Sequence, residues 1–132
     1  MNALVQEWID KAEGDFATAN REMHSRPSPN YDAVCFHAQQ CIEKLIKALL
    51  IASGSVPPKT HDLLFLSKAL ETVCSAWNWP AADLRLLTRA GVIFRYPGES
   101  AGREEAQAAM DACTRLRTRL RALLAGSSER HG

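Results

Sequence analysis

The sequence predicts an all-α protein, an up-and-down antiparallel helical bundle of four long helices plus a short fifth. Apolar residues recur at three- and four-residue steps in five segments, which is the spacing of amphipathic helices. Short stretches rich in proline, glycine or serine separate these segments, and short connections favour antiparallel neighbours. Strand-like alternation appears only in TRLRTRL, which lies inside a longer helical pattern.

Length and composition indicate one self-sufficient domain. The chain has 132 residues, 46% of them hydrophobic and 23% charged. We expect a single helical domain over residues 1–126 and a disordered polar tail over 127–132. The net charge of +1 excludes a strongly basic nucleic-acid binder but leaves a local patch open. No apolar run reaches the roughly 18–20 residues of a membrane helix, and no signal-peptide pattern opens the chain, so we expect a cytoplasmic protein.

The first helix is predicted over residues 2–23, with Asn2 as a suitable N-cap. Asp15 lies near its apolar seam, which is unusual for a carboxylate. Asp15 is therefore either a solvent-facing residue at the edge of the seam or the partner of a cation on another helix. The seam itself consists of Leu4, Trp8, Ala12, Phe16 and Ala19.

The second helix is predicted over residues 31–53, and Gly54 with the two prolines that follow should end it. Its apolar arc is wide enough to pack against several neighbours at once. A narrower polar stripe lies opposite and is either a solvated face or the floor of a binding site. The arc comprises Val34, Cys35, Ala38, Ile42, Leu45, Ile46, Leu49 and Leu50, and the stripe comprises His37, Gln40, Glu43, Lys44 and Lys47.

Three further helices are predicted, over residues 61–75, 80–94 and 103–124. Thr60 suits the N-cap of the third helix, and Pro80 suits the first turn of the fourth. The last helix carries four alternating arginines over residues 115–121 on two faces. Because it has no stacking aromatic residue, a solvated basic end is favoured over a nucleic-acid stripe.

Cysteine and acid spacing gives no metal or redox motif. Cys35, Cys41, Cys74 and Cys113 form no C-x-x-C pair, so we expect reduced thiols that act as small hydrophobes. The chain has no phosphate-cradling glycine loop and no ligand spacing for a metal ion. We therefore expect neither a metal nor a cofactor.

Three polar groups carry the functional hypotheses. In the stripe of the second helix, Glu43 and Lys47 have the favourable i,i+4 order for an ion pair. The segment KTHDL, from residue 59, has two interpretations. Thr60 and Asp62 either cap the next helix and complement its dipole, or His61 is a functional group that titrates near neutral pH. The segment RYP, from residue 95, places Arg95 either as a complement to a helix C-terminus or as a phosphate ligand.

Jointly, these motifs resemble those of HEPN domains. AVCFHAQQCIEKLIKALL, over residues 33–50, resembles the central helix of that family, with its pattern hAqQaaEKalKalL. PPKTHDL, over residues 57–63, resembles the segment P-x-T-H-D-L, and RYP resembles the end of the fourth helix. Trp8, Ala12, Asp15 and Ala19 resemble the first helix. The motifs follow the family's order and cover nearly the whole chain.

The resemblance implies a helical bundle that commonly forms homodimers, in a small cytoplasmic prokaryotic protein. Such proteins are often encoded beside a minimal nucleotidyltransferase as a toxin–antitoxin pair. The family is named for suspected nucleotide binding, and many members are metal-independent RNases that use an R-x4-6-H pair. No arginine of this chain is followed by a histidine at that spacing. An RNase would therefore need Arg95 together with an imidazole from elsewhere, His37 or His61.

The first functional hypothesis is a HEPN-like module that binds a nucleotide, an RNA or a nucleotide-bearing protein partner. Its cleft would lie between the second helix and the end of the fourth. Cationic side chains would contact phosphate, and the other polar groups would complete the site. The expected ligand-binding residues are His37, Gln40, Lys44, Lys47, His61, Arg95 and Tyr96.

Two alternatives remain open. One is an RNase in which Arg95 stabilises the scissile phosphate while His37 or His61 acts as acid or base. The other is a purely structural dimerisation or adaptor domain, in which the polar stripe is an interior network without a ligand. That network would join Asp15, Glu43, Lys44 and Arg95.

Overall fold

The all-α prediction is confirmed. The computed structural model describes residues 2–131, with side chains over 2–127. Within residues 2–131 the chain forms five helices and no strand. The helices are α1 (Ala3–Met23), α2 (Tyr31–Ala52), α3 (Leu63–Val73), α4 (Ala81–Ile93) and α5 (Arg103–His131). The short helix of the bundle is α3, with 11 residues.

Helix α2 is the centre of the bundle because it contacts each of the other four helices. The whole apolar arc predicted for it is buried, and the large side chains in it are at most 1% exposed. Burial of one leucine or isoleucine contributes roughly 1.5–3 kcal/mol. The wide arc therefore accounts for the packing of several helices around α2.

Side-chain contacts fix the directions of the helices. The end of α1 meets the start of α2 through Glu22 and Asn30, whereas Trp8, early in α1, lies beside Lys47, late in α2. These two helices are therefore antiparallel. The start of α2 meets the start of α5, where Asp32 accepts a hydrogen bond from the amide of Ala101. Helices α2 and α5 thus run in the same direction. This direction follows if the four longer helices α1, α2, α4 and α5 alternate up and down and the short α3 belongs to the connection between α2 and α4.

The caps of α1 and α2 agree with the sequence, whereas that of α3 does not. Asn2 and Asn30 cap α1 and α2 by accepting hydrogen bonds from backbone amides. Gly54, with φ of +85°, ends α2 in the left-handed conformation that glycine adopts most readily. The expected N-cap of α3, Thr60, was wrong. The N-cap is Asp62, whose side chain accepts a hydrogen bond from the amide of Leu64 at 3.0 Å. Thr60 instead accepts from the amide of Asp62, because the helix begins two residues later than predicted.

Two further expectations need correction. The buried seam of α1 begins with Val5 and Ile9, whereas Leu4 is 48% exposed, because the face that packs on α2 is rotated from the predicted one. The backbone of α5 extends to His131, beyond the expected end near residue 124. The predicted disordered tail, over residues 127–132, lies mostly outside the residues whose side chains the structure describes. It therefore stays a prediction. The four cysteines are free thiols, and only Cys74 is not fully buried.

Candidate functional site

Asp15 connects α1 to the polar stripe of α2. Its Oδ1 lies 2.7 Å from Nδ1 of His37, and its Oδ2 lies 2.5 Å from Nζ of Lys44. The Asp15 side chain is only 11% exposed, so the partner interpretation of this residue is correct and the solvent-facing one is wrong. A carboxylate can only accept, so Nδ1 of His37 carries the hydrogen and Nε2 is left for another partner.

Glu43 forms a second centre on the other side of the stripe. Its side chain is 5% exposed, so it is a buried residue rather than a member of a solvated face. Oε2 accepts from Nζ of Lys47 at 3.1 Å, which confirms the predicted i,i+4 pair. Oε1 lies 2.8 Å from Nδ1 of His61, a residue that precedes α3. His61 is therefore oriented in the same way as His37, with Nε2 left over, although its side chain is 74% exposed.

A buried amide beneath the stripe holds the parts together. Gln39, 3% exposed, donates to Oε1 of Glu43 and to the carbonyl oxygen of His61, both at 3.1 Å. Its own Oε1 accepts from Nε2 of Gln40 at 2.8 Å. Its aliphatic part fills the space beside Gly91 of α4. Gln39 thus joins α2, α4 and the segment before α3 at one point.

Arg95 lies next to this network but outside it. Its guanidinium stands 5.6 Å from the ring centroid of Phe36, which in turn meets the ring of His37 edge-on at 5.2 Å. Among the described residues Arg95 has no carboxylate partner, so it does not join the interior network in which one alternative had placed it. Arg95 is exposed, and the adjacent Tyr96 is 63% exposed, with no side-chain hydrogen bond among the described residues.

These side chains form one surface that we call the α2 polar face: His37, Gln40, Lys44, Lys47, His61 and Arg95. Three permanent cations and two carboxylates meet there, so one positive charge is in excess even with both imidazoles neutral. Lys44 and Lys47 are 22% and 12% exposed and keep some contact with solvent. The face therefore offers N–H donors and an exposed guanidinium to an anion.

Sequence reasoning missed Gln39 and Phe36. A signal for Gln39 existed, because it follows the buried Cys35 by four residues and precedes the buried Ile42 by three. A glutamine at that position needs buried hydrogen-bond partners. Phe36 gave no comparable signal, since its role depends on where the chain goes after α4.

Within the part of the chain that the structure describes, no group of three or more histidine, cysteine, aspartate or glutamate side chains is placed to hold a metal ion. Among the same residues, no helix combines the length and apolar character that a bilayer span needs.

Solved structures share this arrangement of helices. A crystal structure of the protein TT1696 from Thermus thermophilus superposes with a TM-score of 0.72 at 19% identity, covering 90% of this chain and 97% of that one. An archaeal protein described as a HEPN homologue superposes with a TM-score of 0.65 at 24% identity, covering 89% and 95%. At these identities the likeness defines the fold class, an all-α bundle of the HEPN type.

The family model of the HEPN domain matches residues 5–123, which is most of the chain. The chain belongs to the HEPN domain family. No curated protein matches it.

Proposed function

We propose that this HEPN domain binds a nucleotide, or the phosphate of an RNA or nucleotide-bearing partner, along the α2 polar face. The observation that supports the proposal most is the excess positive charge at a face whose donors are already oriented. Asp15 and Glu43 are buried beneath it, and each holds one lysine and one histidine. Preorganised donors reduce the entropy that a ligand must offset on binding.

In this proposal the cations have different tasks. Arg95 meets the phosphate directly, because it is exposed and has no carboxylate partner among the described residues. A planar guanidinium can donate two parallel hydrogen bonds to phosphate oxygens. Lys44 and Lys47 are paired with carboxylates, so their positive potential extends a shorter distance from the face than that of Arg95. Nε2 of His37, Nε2 of His61 and the amide of Gln40 hydrogen-bond the remainder of the ligand.

The test is a thermal-melt titration with a panel of nucleotides on the wild type and on Arg95→Ala. A ligand at about 100 times its Kd adds roughly 2.7 kcal/mol of stability, which raises the melting midpoint measurably. Removal of one charged hydrogen-bonding group costs roughly 1.5–3 kcal/mol, so Arg95→Ala should weaken binding about tenfold or more. Arg85→Ala is the matched control, an exposed arginine within α4, before Arg95 in the chain.

The binding proposal fails if no nucleotide raises the midpoint, or if Arg95→Ala responds as strongly as Arg85→Ala. Failure with every nucleotide would favour the purely structural dimerisation or adaptor domain. In that case the α2 polar face would only fix the packing of α1, α2 and α4.

A specific observation favours an RNase as the second candidate. His37 and His61 each donate Nδ1–H to a buried carboxylate, which fixes the tautomer and leaves Nε2 for proton transfer. In this mechanism the 2′ oxygen of ribose displaces the 5′ oxygen at phosphorus. One imidazole takes the 2′ proton, and the other protonates the departing oxygen. If cleavage by His37→Ala and His61→Ala equals that of the wild type, this mechanism is ruled out.

Partners belong to the same proposal. We propose a cytoplasmic homodimer that acts with a minimal nucleotidyltransferase in a toxin–antitoxin pair, as the HEPN resemblance of the sequence implies. Light scattering of the purified chain tests the dimer. Co-purification with a nucleotidyltransferase encoded next to its gene tests the pair, and a monomer that retains no such protein would contradict both.

A further inference from the structure

A separate cleft lies between the α1–α2 connector and the first turns of α5. Its volume is about 480 Å³, within the roughly 300–1,000 Å³ that small-molecule sites occupy. Its lining includes Arg26 from the connector, Tyr31 at the start of α2, and Arg103 at the start of α5. No residue of the α2 polar face lines it, so the two surfaces are distinct.

The charge of this cleft is one-sided. Arg26, Arg103 and His24 line it, and no carboxylate side chain does. Among the described side chains, neither arginine forms an ion pair. By contrast, Arg115, Arg117 and Arg121 each pair with a carboxylate of another helix. Two uncompensated guanidinium groups at one cleft form a local basic patch in a nearly neutral chain.

Two acids on the helices that flank the cleft accept hydrogen bonds from the backbone. Glu22 accepts the amide hydrogen of Asn30 at 2.8 Å, and Asp32 accepts that of Ala101 at 2.6 Å. These two carboxylates close the connector and anchor the chain before α5. They therefore hold the walls of the cleft in place, and among the described side chains neither of them forms an ion pair with Arg26 or Arg103.

The other lining groups suit the non-phosphate part of a ligand. Tyr31 and Met23 pack against the hydrophobic core and present apolar surface to the cleft. The amide nitrogen of Gln107 donates to Asp111, which leaves its oxygen as an acceptor for a ligand N–H. The ring nitrogen Nδ1 of His24 donates to the carbonyl oxygen of Asn20, which leaves Nε2. A ligand with both a phosphate and a ring that carries N–H groups could contact the arginines, the apolar surface and the oxygen of Gln107 together.

We propose that this cleft is a second binding site, for a phosphate-bearing ligand of the size of a nucleoside monophosphate. Arg26 and Arg103 bind the phosphate, whose charge of up to −2 matches theirs. The ring lies against Tyr31 and Met23, and Gln107 accepts from it. The proposal does not depend on the α2 polar face, because the two sites share no residue.

The experiment is isothermal titration of AMP into the full chain carrying Arg95→Ala, which removes the main phosphate contact of the other site. Arg26→Ala and Arg103→Ala, each added to this background, should weaken AMP about tenfold or more, and Arg103→Lys should weaken it less because the charge remains. Arg21→Ala is the matched control: it is exposed at the same end of α1 but does not line the cleft. It should leave the affinity unchanged.

Adenosine and inorganic phosphate separate the two halves of the ligand, and both should bind more weakly than AMP. Phosphate that binds as tightly as AMP would overturn the nucleotide assignment. The site itself is overturned if AMP does not bind, if neither Arg26→Ala nor Arg103→Ala weakens it, or if Arg21→Ala weakens it equally. Failure of the α2 polar face would show separately, as no effect of Arg95→Ala in the wild-type background.

Discussion

A Cβ atom built on Gly91 would lie 2.6 Å from Cγ of Gln39, so α4 approaches α2 this closely only because residue 91 has no side chain. Gln39 is held from the other side by hydrogen bonds to Glu43 and to the backbone of His61. The glycine is therefore a packing requirement of the candidate site, although it lies in the interior of a helix.

Gly91→Ala should destabilise the protein by about 1–3 kcal/mol, the usual cost of overpacking a buried position. This loss outweighs the roughly 1 kcal/mol that alanine gains over glycine in a helix. Urea unfolding measures the difference. Gly14→Ala is the control, since a Cβ there meets no atom within 4 Å, and it should stabilise the chain. Equal stabilisation by the two substitutions would contradict the packing role of Gly91.

Asp15→Asn should lower the free energy of unfolding by about 1–3 kcal/mol. Removal of one member of a fully buried pair costs roughly 3–5 kcal/mol, and less is expected for this pair because Lys44 is 22% exposed. The amide keeps one acceptor oxygen but can no longer accept from both His37 and Lys44, so one of these donors loses its orientation and ligand affinity at the α2 polar face should also fall. Chemical unfolding and nucleotide titration measure the two effects.

Asp10→Asn provides the comparison for this substitution. Asp10 is exposed on the same helix, where its carboxylate accepts from the exposed amide of Gln6. Its replacement should change stability by no more than about 0.5 kcal/mol. If Asp15→Asn were as mild as Asp10→Asn, the carboxylate would not organise the site.

The fold was predictable from the sequence because apolar periodicity is a local property. The arc of α2 alone indicated a helix with several neighbours, and all of its residues lie in the buried core. The face of α1 was less predictable: Leu4 and Val5 are both apolar, and only the packing against α2 decides that Val5 is buried.

The candidate site was predictable in its members but not in its connections. His37, Lys44 and Lys47 were identified from the stripe, whereas the buried state of Glu43 depends on Gln39 and on the segment that carries His61. Asp15 could be identified because it is a polar residue on an apolar seam. The cleft beside Arg26 and Arg103 gave no signal, because its residues are more than 70 positions apart and come together only in the bundle.

The pair of Asp83 and Arg115 should make stability depend on acid. Hydrogen bonding from Arg115, 2.9 Å away, lowers the pKa of Asp83 below its ordinary value. The folded state thus holds its proton less tightly than the unfolded state. This contribution is complete above the ordinary aspartate pKa of about 4 and is lost as pH falls through the lower folded value.

Because Arg115 is half exposed, the pair should contribute no more than about 1 kcal/mol. Urea unfolding of Asp83→Asn between pH 2 and about 6 measures it. The variant should lose stability at pH 6 and approach the wild type at pH 2. If the stability difference between the variant and the wild type grew on acidification, the lowered pKa of Asp83 would be contradicted.

Cys74 should react with iodoacetamide before the other thiols in the native protein. Burial raises the pKa of Cys35 to about 11, and hydrogen bonding to Cys113 together with burial raises the pKa of Cys41. These thiols stay protonated at neutral pH, and the thiolate is the reactive form. Cys74 is half-buried and accessible. Peptide mapping should find it labelled first, and equal labelling of Cys35 would contradict the packing of α2.

The most direct test of the α2 polar face is nitrogen NMR of the imidazole rings during titration with a nucleoside monophosphate. His37 and His61 report on this face, whereas His24 reports on the separate cleft. We predict that the Nε2 resonances of His37 and His61 shift in the wild type, and that Arg95→Ala needs about tenfold more ligand or more for the same shift. Resonances of both residues that do not move at saturating ligand, or that follow the same titration curve in Arg95→Ala, would contradict a phosphate site on α2.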